Sequence, residues 1–108
     1  MTVPESAPLE KLLSQISGQW TMYILWILDA NGTMRFGELK RKVDGISPKV
    51  LTQRLRMLEE IGIVHRSYES TIPPQVSYRL TERGKEISKP LYELCDLASR
   101  WYGEQANM

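Results

Sequence analysis

A mainly α-helical domain carrying one small β-hairpin is the fold class the sequence predicts, and three observations predict it. Apolar residues recur at helical spacing through most of the 108 residues. One stretch, "ISPKVLTQRLRMLEEIGIV" from Ile46 to Val64, carries both a start signal and a stop signal for a helix. Two runs of alternating residues joined through a Pro-Pro pair follow it, which is the pattern of a hairpin. The length suits one domain spanning residues 1–108, large enough to bury a core without metal or disulfide staples.

The elements follow in chain order. "PLEKLLSQI" places Leu9, Leu12, Leu13 and Ile16 on one helical face, and Gly18 then interrupts. From about Trp20, "WTMYILWILD" is apolar almost all round, so this helix is expected in the middle of the fold, ending near Asn31-Gly32. "TMRF" allows no more than a stub of strand. "FGELKRKV" predicts a short helix with Phe36, Leu39 and Val43 on one side and basic residues on the other, broken at Asp44-Gly45. Ser47 is an N-cap whose hydroxyl can accept a hydrogen bond from a first-turn amide, and Pro48 suits a first helical position that needs no donor. Gly62 closes this helix. "IVHRSYE" and "QVSYRLT" alternate with period two, Val64, Arg66 and Tyr68 on one face opposite Val76, Tyr78 and Leu80, so the hairpin should have one covered face. Pro73-Pro74 belongs in its connection or at a strand edge. After Thr81 a last helical region runs to about residue 105; Pro90 should kink it or split it in two.

Charge is segregated along this plan. The net charge is only +1, yet between Arg35 and Arg56 seven basic residues face two acids, Glu38 and Asp44. A positive patch on an otherwise acidic body attracts polyanions. Within the helix from Pro48, at about 100° per residue, Leu51, Leu55 and Leu58 fall in an arc of roughly 60° and Lys49, Gln53, Arg56 and Glu60 in a similar opposite arc. Thr52 lies on the flank, and the outward face turns acidic only at Glu59 and Glu60. Two helices joined by a short turn, about 36–61, and followed by a hairpin, about 63–80, make a winged helix-turn-helix, a plan that inserts its second helix in the major groove.

From about Pro8 to Trp101 the chain resembles the HxlR-type winged-helix transcriptional regulators, relatives of the MarR group. The matching pieces are "GQWTMYILWIL", "RFGELKRKVDGISPKVLTQRLRMLEEIGIVHRSY", "PPQVSYRLTERGKE" and "LASRWYG". The resemblance implies a homodimer whose first and last helices form the interface, with Leu9, Leu12 and Leu13 of the first and Leu94, Cys95, Ala98, Trp101 and Tyr102 of the apolar segment "LYELCDLASRWYGE" as its candidate residues. It also implies double-stranded DNA as partner, with the helix at 48–61 in the major groove and the wing near the minor groove. Three positions depart from the family pattern. Where many members carry a sensing cysteine before the first helix stands Ala7, which excludes thiol sensing there. Gln19 and Gln75 replace residues that are usually basic, which weakens phosphate attraction by the wing.

The candidate DNA-binding residues are Ser47, Lys49, Thr52, Gln53, Arg54, Arg56, Arg66, Gln75 and Arg79. Arg and Gln make bidentate hydrogen bonds to guanine and adenine edges, whereas Lys49 and Thr52 also suit phosphates. Ser47 is first a cap, and a helix N-terminus also binds phosphate. Arg54 falls beside the apolar arc, where stacking on the core edge, pairing with an acid and holding a phosphate are all open. Arg66 and Arg79 either follow the DNA backbone or keep a sheet edge soluble. The plain reading of Lys49, Thr52, Gln53 and Arg56 is a solvated surface.

Other functions find less support. One cysteine, Cys95, and one histidine, His65, exclude an internal disulfide and a multi-cysteine zinc site, and neither has a local partner for catalysis. No metal, cofactor or enzymatic activity is expected. Cys95 reads as an inert core or interface residue, with an intermolecular disulfide as the minor alternative; His65 reads as a half-exposed strand residue. Trp20, Trp26 and Trp101, with Tyr23 and Tyr102, are either core and interface or the lining of a pocket for an unidentified small-molecule effector. No segment is apolar enough to span a membrane and the start lacks a signal-peptide pattern, so the expected location is the cytoplasm. The leading expectation is a homodimeric repressor on a near-palindromic operator with half-sites one helical turn, roughly 34 Å, apart. The alternative is a winged-helix interaction module docking an acidic protein.

Overall fold

The most deeply buried side chains belong to three helical segments, the turn after one of them, and a strand. Ile24, Leu25, Leu28, Leu39, Val43, Leu51, Leu55, Leu58 and Val64 are all buried to 2% exposure or less and form one cluster. In the computed structural model, which describes residues 7–106, they are carried by α2 (Thr21–Asn31), α3 (Phe36–Lys42) with its C-cap Val43, α4 (Pro48–Glu60) and β2 (Val64–Glu69). Around them lie α1 (Ala7–Ile16), β1 (Met34–Arg35), β3 (Gln75–Leu80), α5 (Glu82–Lys85) and α6 (Ser88–Ala106). The architecture is the winged helix-turn-helix expected, mainly helical with a small antiparallel sheet.

The sheet has one strand more than the hairpin. β1 pairs with β3, Met34 opposite Tyr78 and Arg35 opposite Ser77, giving the order β1-β3-β2. The stub at "TMRF" thus ties the start of α3 to the wing. β2 and β3 pair from Val64 opposite Leu80 to Glu69 opposite Gln75. The expected covered face holds only at the base of the hairpin, where Val64 and Leu80 are buried; Tyr68, further out, is 59% exposed. The wing reaches beyond the body that covers its root.

Two further expectations are modified. α2 is not enclosed on all sides: Ile24, Leu25, Ile27 and Leu28 are buried, but Tyr23 and Trp26 are exposed at its open flank. Pro90 does divide the last helical region, but the break falls between Lys85 and Ser88, upstream of it. Pro90 thereby occupies the first turn of α6, where a missing amide leaves no bond unmade.

The junction between wing and C-terminal helices is unusually close. Thr81 caps α5 by accepting from the Gly84 amide at 3.1 Å, donates its hydroxyl to the Gly62 carbonyl, and donates its own amide to the Ile63 carbonyl at 3.0 Å. These bonds pull α5 onto the start of β2. A Cβ at Gly84 would lie 2.3 Å from the Ile63 carbonyl oxygen, so only glycine fits there. α6 is attached on its other side through Asp29 of α2, whose carboxylate accepts from the Ser88 hydroxyl at 2.5 Å.

α1 and the outer face of α6 are covered least, although Leu91 of α6 is buried in the core. Ile16 is the buried residue of α1, while Leu9, Leu12 and Leu13 are 52%, 39% and 45% exposed. On α6, Leu94, Trp101 and Tyr102 are exposed by half or more. The radius of gyration, 15.8 Å, exceeds the roughly 13 Å of a compact domain of 100 residues, as projecting terminal helices require.

Candidate nucleic-acid interface

α4 begins as its sequence dictates. The Ser47 hydroxyl accepts from the Val50 amide at 3.1 Å, and Pro48 follows at the first helical position. The helix ends in a Schellman pattern: the Gly62 amide donates to Glu59 at 3.0 Å and the Ile63 amide to Leu58 at 2.9 Å, with Gly62 at φ 79°. Leu58 and Ile63, both buried, form the hydrophobic contact that accompanies such an end. Both ends of α4 are therefore fixed by local bonds, and its middle is fixed by Leu51, Leu55 and Leu58.

With that face held, the opposite one is presented to solvent. Lys49, Gln53 and Arg56 are exposed, Thr52 is half-buried on the flank, and Glu59 and Glu60 are exposed at the far end. Ser47, at the cap, is also exposed. α3 contributes Arg41 and Lys42 as exposed cations beside Arg35. Among the described residues the ion pairs are Lys85 with Glu82 and Arg100 with Asp96, so none of the basic side chains between Arg35 and Arg56 is neutralised by a carboxylate. Their field is left to act outward, where a phosphate chain can meet it.

Arg54 is placed differently from its neighbours. It is half-buried on the flank it shares with Val50, Met57 and Ile61, which pack against the core. Its Nε donates to the backbone carbonyl of Gln19 at 3.0 Å. Of the possibilities open in the sequence, none was a backbone carbonyl 35 residues away.

The wing separates its two arginines. Arg66 pairs with Tyr78 and Arg79 with His65, so they project from opposite faces, since residues directly across a ladder share a face and successive residues alternate. Gln75 is on the same face as Arg79, at the outer end of the hairpin, and is half-buried. His65 is exposed. Arg79 also reaches the Leu80 carbonyl at 3.5 Å, a long contact that adds little.

The aromatic residues are not gathered into one pocket. Trp20 lies against the turn at Gly45, Tyr23 stacks on Trp26 with centroids 5.9 Å apart, and Trp101 meets Tyr102 edge-on at 6.1 Å near the end of α6. Tyr23 and Trp26, with Met22, Leu91 and the half-buried Cys95, line a shallow apolar cleft of about 300 Å³ between α2 and α6. Beside it the Tyr92 phenol donates to Asp29; that hydrogen bond, with lesser desolvation and the nearby negative charge, raises the phenol above its ordinary value of 10.0.

A helix anchored by leucines, capped at both ends and carrying unpaired cations beside a β-hairpin defines a DNA-binding protein of the winged helix-turn-helix class. The comparisons with known proteins agree. Residues 15–106 match the model of the HxlR-like helix-turn-helix family. The HTH-type transcriptional regulator YdzF of Bacillus subtilis is 42% identical over 91 residues, 84% of each chain. Among solved structures, a MarR-family transcriptional regulator from Enterococcus faecalis superimposes with a TM-score of 0.80 at 37% identity, covering 100% of this chain and 97% of that one. The redox regulator HypR in its oxidized form gives 0.81 at 33% identity, over 87% and 96%. The chain belongs to the HxlR-like helix-turn-helix family, and it is a DNA-binding transcriptional regulator. No described helix is long and apolar enough to cross a membrane.

Proposed function

We propose that this chain, with its helix-turn-helix at about 36–61 and its wing at about 63–80, works as a homodimeric repressor that blocks a promoter by occupying a near-palindromic operator. The observation that carries this reading is the face of α4 formed by Lys49, Gln53 and Arg56, exposed and unpaired above leucines that are fully buried. Arg56 and Gln53 read base edges in the major groove, while Lys49, Thr52 and the Ser47 end of the helix hold phosphates. Gln75, Arg66 and Arg79 follow the backbone from the two faces of the wing. Arg54 can offer only its terminal nitrogens to a phosphate, because its Nε is engaged.

The homodimer is supported by the apolar faces left open in one chain. Leu9, Leu12 and Leu13 on α1 and Leu94, Ala98, Trp101 and Tyr102 on α6 are exposed, with Cys95 half-buried among them. An amphipathic helix of this kind gains by packing against a second copy.

Binding of purified Lys49→Ala and Arg56→Ala proteins to a selected site and to scrambled duplexes, across a range of salt, tests the division of contacts. Lys49→Ala should weaken all sequences alike and lower the salt slope by about one. Arg56→Ala should relax base preference at one position of each half-site. Equal loss of specificity in both variants contradicts the assignment, and retention of an acidic protein in the presence of excess duplex favours the protein-docking alternative.

A further inference from the structure

The attachment of Arg54 to Gln19 joins two parts of the chain whose relative orientation matters only in a dimer. Gln19 lies in the link Gly18-Gln19-Trp20, between the end of α1 at Ile16 and the start of α2 at Thr21. Trp20 takes a left-handed φ of 77°, a conformation a bulky side chain adopts only when its surroundings impose it. Its indole packs on the turn between α3 and α4, where the ring's Cη2 would be 3.4 Å from a Cβ at Gly45. The link is thus attached twice to the helix-turn-helix: at the turn through Trp20 and at α4 itself through the Nε of Arg54, 3.0 Å from the Gln19 carbonyl oxygen. α1 has Ile16 as its buried residue, so its direction is taken largely from this link.

Resting on the homodimer reading above, we propose that Arg54 is a positioning residue: through the Gln19 carbonyl it fixes the angle between α1 and α4, and so sets the spacing of half-sites that the dimer accepts. α1 carries the exposed leucines that meet the second copy, and α4 carries the residues that meet DNA. A change in the angle between them moves the two recognition helices of a dimer relative to each other without altering either reading face. The side chain is suited to this: its stem lies in the row of Val50, Met57 and Ile61, and the guanidinium offers a donor at Nε, part-way along the chain, directed at a carbonyl. Lysine at this place keeps the charge but has no nitrogen there.

The experiment measures binding to a series of duplexes carrying two copies of the selected half-site separated by spacers of stepwise length, with wild type, Arg54→Lys and Arg54→Met. The wild type should favour one spacing. Arg54→Lys should reduce the preference for that spacing over its neighbours at least fivefold, keep the base preference within each half-site, and keep the salt slope. Arg54→Met, which retains the apolar stem, should loosen spacing equally. Unchanged spacing preference in Arg54→Lys overturns the proposal, as does a loss confined to the salt slope of Arg54→Met, which would make Arg54 a phosphate contact. A wild type that binds with no spacing preference removes the homodimer reading itself, and the positioning role with it.

Discussion

Substituting Gly84 by alanine perturbs the junction of wing and C-terminal helices at one atom. The added methyl would sit 2.3 Å from the carbonyl oxygen of Ile63 and 3.3 Å from that residue's Cγ2. A carbon approaches a carbonyl oxygen no closer than about 3.3 Å, so α5 and the start of β2 must separate by roughly 1 Å. The neighbour is backbone and cannot rotate away. Separation also stretches the Thr81 amide bond to Ile63, now 3.0 Å, and the hydroxyl bond from Thr81 to Gly62. Overpacking of this kind costs about 1–3 kcal/mol, and a rigid neighbour places it near the upper value. Alanine returns about 1 kcal/mol through its better helix propensity. The net loss of about 2 kcal/mol corresponds to a fall in melting temperature of about 10 °C for a chain of this size. Thermal unfolding by circular dichroism measures it, at one fixed protein concentration because the proposed dimerisation would be linked to stability. Gly37→Ala is the control. At this exposed position of α3 the methyl would meet only the end of Arg41, at 3.7 Å, and stability should be unchanged or higher by up to about 1 kcal/mol. Equal melting temperatures for Gly84→Ala and wild type would refute the close-approach argument.

Three other outcomes are expected. Ser47→Ala removes the cap on the Val50 amide and should lower stability by about 1 kcal/mol, with a matching shift of the urea midpoint at constant slope. Leu12→Glu places a charge on the exposed face of α1 and should yield a folded monomer by sedimentation; an unchanged dimer would remove α1 from the interface. Asp29→Asn removes the carboxylate that accepts from Tyr92 and should bring its titration, followed by ultraviolet absorbance against a Tyr92→Phe reference, down towards 10.0. The sign follows from linkage. A phenol whose folded value is raised contributes stability that is full below the unfolded value and is lost as pH rises through the folded one, so the effect is confined to alkaline solution.

What the sequence made legible was local. The start and end of α4 could be placed from Ser47, Pro48 and Gly62 because caps satisfy the helix's own amides and carbonyls. The hairpin followed from alternation and the Pro73-Pro74 pair, and the helix-turn-helix from the break at Asp44-Gly45. The reading face of α4 followed from helical phase, and exposure of Lys49, Gln53 and Arg56 agrees with it. What escaped were contacts between distant segments. β1 joins the sheet through Tyr78 and Ser77, a pairing that two residues cannot announce. The constraint on Gly84 comes from the distant Ile63 carbonyl, which no local pattern marks. Arg54 was ambiguous because its partner is a carbonyl, which every residue possesses and no side-chain pattern marks. Arg66 and Arg79 were placed together on one hairpin, and period-two alternation already put them on opposite faces.

In the proposed function, α4 presents a specific reading surface to DNA from a two-fold symmetric dimer. Selection by the purified protein from random duplexes at moderate salt, followed by sequencing, tests it most directly. One enriched near-palindromic motif is expected, its half-sites about one helical turn apart. Recovery of no motif, with binding that follows salt alone, would contradict it.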